Sequence, residues 1–163
     1  MVTIDGVVCK VISSSLESFT CETGENTNPS DATKYPGLPG LKRRYYESES
    51  SLSYTSMAAA TPTTVLPLTG LETLQNQRDG PSGNIIDGYF RAPATGNYKF
   101  YMSCDDSCRL SLSTVNLDPT AASAIITIGS ATGYRSYLTT ESRQSAWIPM
   151  TVGQFYYIKT EHI

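Results

Sequence analysis

A single histidine, His162, is all the imidazole this 163-residue chain offers, and it stands next to the last position. No GxSxG or HExxH motif accompanies it, and no glycine-rich loop is present to cradle a phosphate. His162 therefore reads as an exposed or partner-packed side chain rather than a catalytic base, and no catalytic residue is assigned. Long apolar runs are also missing. No window of about 18 apolar residues could span a membrane, and MVTIDGVVCK lacks the basic start and apolar stretch of a signal peptide. Any export signal is expected upstream, and no membrane contact is expected from this segment. Positive charge is scarce as well. A net charge of -3 leaves no basic face for nucleic acid, and the one basic run, Lys42-Arg43-Arg44, reads as a solvated strand edge.

What the chain does have points to strands. Eleven Tyr against one Trp, with 12 Gly and 9 Pro recurring between short apolar runs, favour pleated surfaces over helices. The length suffices for one domain with a real core, or one domain and part of another. Four cysteines, Cys9, Cys21, Cys104 and Cys108, show neither CxxC spacing nor accompanying histidines, which suits disulfides in an oxidising compartment better than zinc. Four cysteines permit three pairings. Sequence order favours Cys9 with Cys21 and Cys104 with Cys108, the second closing a tight loop.

Along the chain, VTIDG, VVCKVIS and SFTCETG read as short strands that cannot bury both faces alone, the tail of a domain over residues 1–24. Residues 25–40 carry three Pro and two Gly without periodicity and read as a linker. A second domain is expected over 41–163. It opens on the strand LKRRYYE and continues through an irregular Ser, Thr, Ala and Pro stretch, Ser48 to Gln77, with one helical turn at Ser56 to Ala60. Thereafter come the strand IIDGYFR, stopped before Pro93, and NYKFYMS, in which Tyr98, Phe100 and Met102 alternate with Lys99, Tyr101 and Ser103. Later strands are expected at Leu110 to Leu112, Ala124 to Ile128, Ala146 to Val152 and Phe155 to Thr160. An all-β fold follows, a sandwich or barrel of antiparallel strands. Trp147 and the tyrosines could stack on a sugar, but at strand spacing they read as core.

Between two of these strands stands Cys104-Asp105-Asp106-Ser107-Cys108. Its simplest reading is a polar turn, since Asp and Ser bond to nearby backbone N–H groups. The functional alternative is a hard-cation site at Asp105 and Asp106. Adjacent residues of an extended strand point to opposite faces, so such a site needs unusual backbone between the two. A glycosidase pair is a poor fit, because that chemistry holds its carboxylates about 5 to 10 Å apart across a sugar.

The order DGYFRAPATGNYKFYMSCDDSCRLSLS followed by YRSYLTTESRQSAWIPMTVGQFYYIKTEH resembles the PA14 family: an aromatic strand, AP-x-TG-x-Y-x-F, a DD turn, L-x-L-S and a closing YYI strand. The resemblance covers residues 41–163 and implies a β-sandwich of the kind found in toxin subunits, adhesins and modules appended to glycosidases. Met150 replaces a usual Leu, and family members generally continue past the YYI strand, so the domain is expected to be truncated at its C-terminus. VTIDGVVCKVISSSLESFTCETG is similar to the closing strands of a TIG (IPT) domain. That order of modules resembles the fibrocystin-like surface proteins.

The resemblance implies, for the sugar-binding branch, a cis peptide between the two aspartates and a Ca²⁺ ion that also takes glycan hydroxyls. Two aspartates supply at most four of the six to eight oxygens calcium takes, and Asn116 and Asp118 are the nearest further candidates, although they also read as a turn before Pro119. Three roles are thereby opened. The first is an extracellular recognition or adhesion module binding a glycan or glycoprotein, with Ca²⁺ at Asp105 and Asp106. The second is a spacer that packs against neighbouring domains of a longer surface chain, and the third is an ancillary module of an enzyme.

Overall fold

A computed structural model describes the backbone of residues 2–4, 7–14 and 19–23 and, from residue 41 onward, every residue except 49, 69, 74–79, 115–117 and 138–142. Contacts divide the chain into two compact units, Met1–Leu38 and Pro39–Ile163. In the first, β1 (Val2–Ile4), β2 (Val7–Ser14) and β3 (Phe19–Thr23) pair antiparallel in that order. Cys9 stands opposite Thr23 and Cys21 opposite Val11, on neighbouring strands. The Cys9 and Cys21 side chains, and the stretch 25–40 read as a linker, lie outside the described residues.

The second unit contains β4 (Leu41–Glu47), α1 (Tyr54–Ala59), β5 (Thr64–Leu68), β6 (Ser82–Arg91), β7 (Gly96–Tyr98), β8 (Cys108–Leu112), a 3-10 turn (Pro119–Ala121), β9 (Ser123–Ile128), β10 (Ile148–Met150) and β11 (Phe155–His162). Six strands form one antiparallel sheet in the order β5-β4-β6-β11-β8-β9, and β7 pairs with β10 as a separate ribbon. On one face, Ile158 of β11 opposes Leu112, and Leu110 opposes Ile126, so the two-residue period of each strand stacks its branched side chains in one layer. The ribbon supplies the second layer. Tyr98, Phe100, Met102 and Ile148 pack on that cluster, and Phe90 meets the rings of Tyr98 and Phe100 edge to face, each at 5.9 Å between centroids. The architecture is the expected antiparallel β-sandwich.

The alternation in NYKFYMS is thus realised as burial, while the regular ladder is shorter than expected. It ends at Tyr98 because the hydroxyl of Ser145 accepts from Phe100 N–H at 3.0 Å in place of a backbone carbonyl. The pairing then continues only as the bridge Tyr101 to Gln144 and the bond from Met102 N–H to Arg143 O at 2.9 Å.

The opposite sheet face carries α1. Ser53 and Ser56 bond each other's backbone N–H at 3.0 and 2.8 Å in a reciprocal cap, so the helix starts two residues earlier than the turn read from sequence. Met57, 0% exposed, seats against Tyr46 and Ile85. It fits because position 83 is glycine: a Cβ there would overlap Met57 Sδ and stand 3.0 Å from the His162 carbonyl oxygen. The stretch read as irregular from its Ser, Thr, Ala and Pro content also contains β5, which includes Pro67. Proline is tolerated because β5 is the outer edge of the sheet and pairs with β4 alone.

The reading of Lys42-Arg43-Arg44 as a solvated edge is corrected by the same topology. β4 lies between β5 and β6, so its cations need partners. Arg43 is buried and donates from Nε to Asn84 Oδ1 at 2.6 Å, and Arg44 Nη2 reaches Asp87 Oδ1 at 2.7 Å with Lys42 3.9 Å from the other oxygen. One register step on, Glu161 is 2% exposed. Arg109 holds it through Nε and Nη2, Lys159 approaches to 3.3 Å, and the Arg109 guanidinium lies over the Tyr54 ring at 4.3 Å. Burial by itself would raise the Glu161 pKa, but the Arg109 hydrogen bonds and the two cations outweigh it and hold the carboxyl below its ordinary value.

Two outcomes are expected. Because the folded-state pKa of Glu161 is depressed, its stabilisation is complete above the unfolded value of about 4.3 and is lost as pH falls towards the lowered folded value. The melting temperature should therefore drop on acidification through that window, and Glu161→Gln should lower stability by about 1–3 kcal/mol at neutral pH and flatten the drop. Gly83→Ala should cost about 1–3 kcal/mol by overpacking. In a denaturant double-mutant cycle with Met57→Ala, the pair should be less destabilised than the sum of the single changes.

Candidate functional site

Beyond the apolar cluster, the ribbon-covered sheet face continues as the floor of an open cleft of about 1030 Å³. Tyr45, Asn84, Ile86, Thr160, His162 and Leu110 contribute to its floor from four adjacent strands. Its walls are three loop segments, 71–73, 99–105 and 132–137, and they bring Tyr101, Tyr134 and Tyr137 to the opening, all exposed. A wide, tyrosine-rimmed opening over a polar floor suits an extended polar ligand better than a small enclosed one.

The polar floor is internally satisfied. Arg43 donates to Asn84 Oδ1, Asn84 Nδ2 lies 3.3 Å from His162 Nδ1, and His162 Nε2 lies 2.6 Å from the carbonyl oxygen of Asp105. The donors in this chain require the imidazole proton on Nε2, with Nδ1 accepting from Asn84. His162, read from the sequence as exposed or partner-packed, thus acts as a strut within the chain between the sheet and the acidic turn.

That turn is anchored on every side. Cys104 and Cys108 are joined by a disulfide with Cα atoms 6.3 Å apart. Thr132 N–H donates to Cys104 O at 2.7 Å, and Thr132 Oγ1 accepts from Cys104 N–H at 2.9 Å, tying the turn to the third wall. Ser107 and Ile163 exchange backbone bonds of 3.3 and 2.9 Å. Asp106 takes φ +55, a left-handed conformation that aspartate tolerates better than most residues. Asp105 Oδ1 accepts from Asp106 N–H at 3.1 Å. Both carboxylates are exposed, and Asp105 lines the cleft. No cis peptide occurs among the described residues, so the Asp105–Asp106 bond is trans and the cis bond implied by resemblance is not found.

As calcium ligands the two aspartates would form only part of a shell. Among the described residues no third Asp, Glu, His or Cys joins them. Asn116 lies outside the described residues. Asp118 stands beyond the far end of β8, where it caps the 3-10 turn by accepting from Thr120 N–H at 2.8 Å and from the Thr120 hydroxyl at 2.7 Å. A cation at Asp105 and Asp106 would take its remaining oxygens from backbone, water or a bound ligand.

Sequence reasoning missed the residues that close the cleft mouth. Glu72 accepts from Tyr134 Oη at 3.0 Å and from Arg135 Nε and Nη2 at 3.0 and 2.9 Å, linking two walls. The Arg135 and Tyr134 hydrogen bonds hold the Glu72 carboxyl below its ordinary pKa. The sequence separation of 63 between Glu72 and Arg135 explains why no local pattern announced the pair. Trp147, read as core, is instead 63% exposed.

With this geometry in hand, the chain was compared with known proteins. No curated protein matched it. A solved structure, that of a beta-glucosidase from Kluyveromyces marxianus in complex with glucose, is similar at 17% identity and a TM-score of 0.49. The match covers 76% of this chain and only 14% of that one. The PA14 domain matches residues 37–163. That match takes in the sandwich, the cleft and the acidic turn together, and the chain belongs to the PA14 domain family.

Proposed function

We propose that this protein is a non-catalytic glycan-recognition module of a large extracellular surface protein, binding sugar in the cleft beside the Asp105–Asp106 turn. The observation that carries the reading is the convergence of an exposed tyrosine rim, an open polar floor and a cross-linked acidic turn on one sheet face of a PA14 domain. Tyrosine rings offer apolar faces to pyranose C–H groups, and the turn offers acceptors to sugar hydroxyls. In this reading Ca²⁺ sits at Asp105 and Asp106, with glycan hydroxyls and water completing its shell. The disulfide supports an oxidising, extracellular setting. No helix among the described residues is long and apolar enough to cross a membrane. The N-terminal unit is proposed as the end of a TIG-like domain in a fibrocystin-like chain.

A binding role is favoured over hydrolysis by the electrostatics of the cleft. A glycosidase needs a carboxyl kept protonated by a raised pKa. Glu72, a carboxyl of the cleft lining, is shifted the opposite way by Arg135 and Tyr134. The second reading, a spacer without a ligand, draws on the same rigidity: disulfide and strut could serve only to stiffen the turn.

A glycan array probed with the full chain in calcium and again in EDTA separates the two. Saturable binding to a subset of glycans is expected in calcium, with a loss of at least tenfold in Asp106→Ala and a melting temperature that calcium raises in the parent but not in the variant. An array blank under both conditions would leave the spacer. The pairing of Glu72 with Arg135 is fully solvent-exposed and hence open to screening. Affinity for an array-positive glycan, measured by calorimetry, should therefore fall between 0.05 and 0.5 M NaCl, and Glu72→Gln should abolish most of that salt dependence.

A further inference from the structure

We propose that Trp147 and Lys99 form a second sugar subsite, continuous with the cleft, that takes a carboxylated sugar unit; the inference rests on the glycan reading above. Trp147 is the most exposed of the large hydrophobic side chains among the described residues, at 63%. It is not a loosely held surface ring. Ile148 pairs with Tyr98 in the ribbon, which makes Trp147 and Lys99 the next cross-strand neighbours, and the Lys99 ammonium lies 5.5 Å from the indole centroid.

The backbone on both sides of the ring is tied down. Beyond it, Pro149 and Met150 continue the ladder with Asn97 and Gly96. Before it, Ser145 N–H donates to Phe100 O at 2.9 Å and Ser145 Oγ accepts from Phe100 N–H at 3.0 Å. A ring presented from such a backbone loses little conformational freedom on stacking, which is the requirement for a sugar platform.

The charge then selects the sugar. Lys42, Arg44, Arg109, Arg135 and Lys159 each reach a carboxylate. Among the described residues no carboxylate pairs with Lys99, whose ammonium lies against the indole. Lys99 also lines the cleft, as does Tyr101 of its rim, so the subsite adjoins the cleft through Lys99. A pyranose stacked on Trp147 with its carboxylate on Lys99 would supply both missing partners, an apolar C–H face and a counter-ion. A neutral sugar supplies only the first.

Trp147 is the sole tryptophan of the chain, so its emission reports on this subsite directly. The full chain would be titrated with a tetragalacturonate and with its carboxyl-reduced, neutral counterpart, followed by both tryptophan emission and calorimetry. Saturable emission changes are expected with both, the acidic sugar binding about tenfold more tightly. Lys99→Met should erase that difference, bringing the acidic sugar's affinity to that of the neutral one, and Trp147→Ala should weaken both sugars. Equal affinities in the parent chain would overturn the proposal. So would calorimetric binding with emission unchanged and no effect of Lys99→Met, an outcome that leaves the cleft reading standing. If neither tetrasaccharide binds, the carboxylate subsite is overturned, while the cleft reading is judged by the array.

Discussion

Everything in the second unit depends on β11 pairing on both sides at once, with β6 along one edge and β8 along the other. The strand is eight residues long and contributed by the end of the chain, so the sheet cannot close until segments more than 40 residues apart in sequence have met. Its period of two then distributes the chemistry. Tyr156, Ile158, Thr160 and His162 face the ribbon and the cleft, while Tyr157, Lys159 and Glu161 face the side that carries α1. A slip of one residue would put Glu161 in the apolar cluster and Ile158 among the cations, and both misplacements would cost more than the ladder returns.

The same strand explains why one sheet face can be core at one end and cleft at the other. Where the ribbon lies over Ile158, the layer is apolar and closed. Two residues on, at Thr160 and His162, the floor becomes polar, and its groups satisfy one another instead of packing. The strut from Arg43 through Asn84 and His162 to the Asp105 carbonyl carries the position of the sheet into the acidic turn. The disulfide and Thr132 fix that turn from its other sides. By contrast the cleft mouth is held by solvent-exposed charge between Glu72 and Arg135, which water and salt can compete for. A rigid floor with a screenable mouth is a division suited to binding.

Much of this was legible locally. Strand period and turn residues placed β4, β6, β8, β9 and β11 within a few positions, because those strands bury one face against a layer and the alternation records that burial directly. Where the sequence misled, a local rule was overridden from a distance. The Ser, Thr, Ala and Pro content of Ser48 to Gln77 read as irregular, yet on the edge strand β5 the missing N–H of Pro67 is without consequence. Three cations looked like a solvated edge until β4 was found between two neighbours, with Asn84 and Asp87 waiting across β6. Trp147 was read as core with the other aromatics, yet it alternates with the inward-facing Ile148 and Met150 and so falls on the exposed side of β10.

By itself, then, the sequence determined the class of fold, the family and the presence of a cysteine-flanked acidic turn, because period, turn chemistry and motif order are written in neighbouring residues. Only the tertiary structure decided what that turn faces. The tyrosine rim, the Glu72 bridge, the histidine strut and the exposed indole are drawn from segments that share no local pattern. They become a site only when sheet register brings Asn84, Asp105 and His162 together, and register is a property of paired strands that no single stretch of the chain carries.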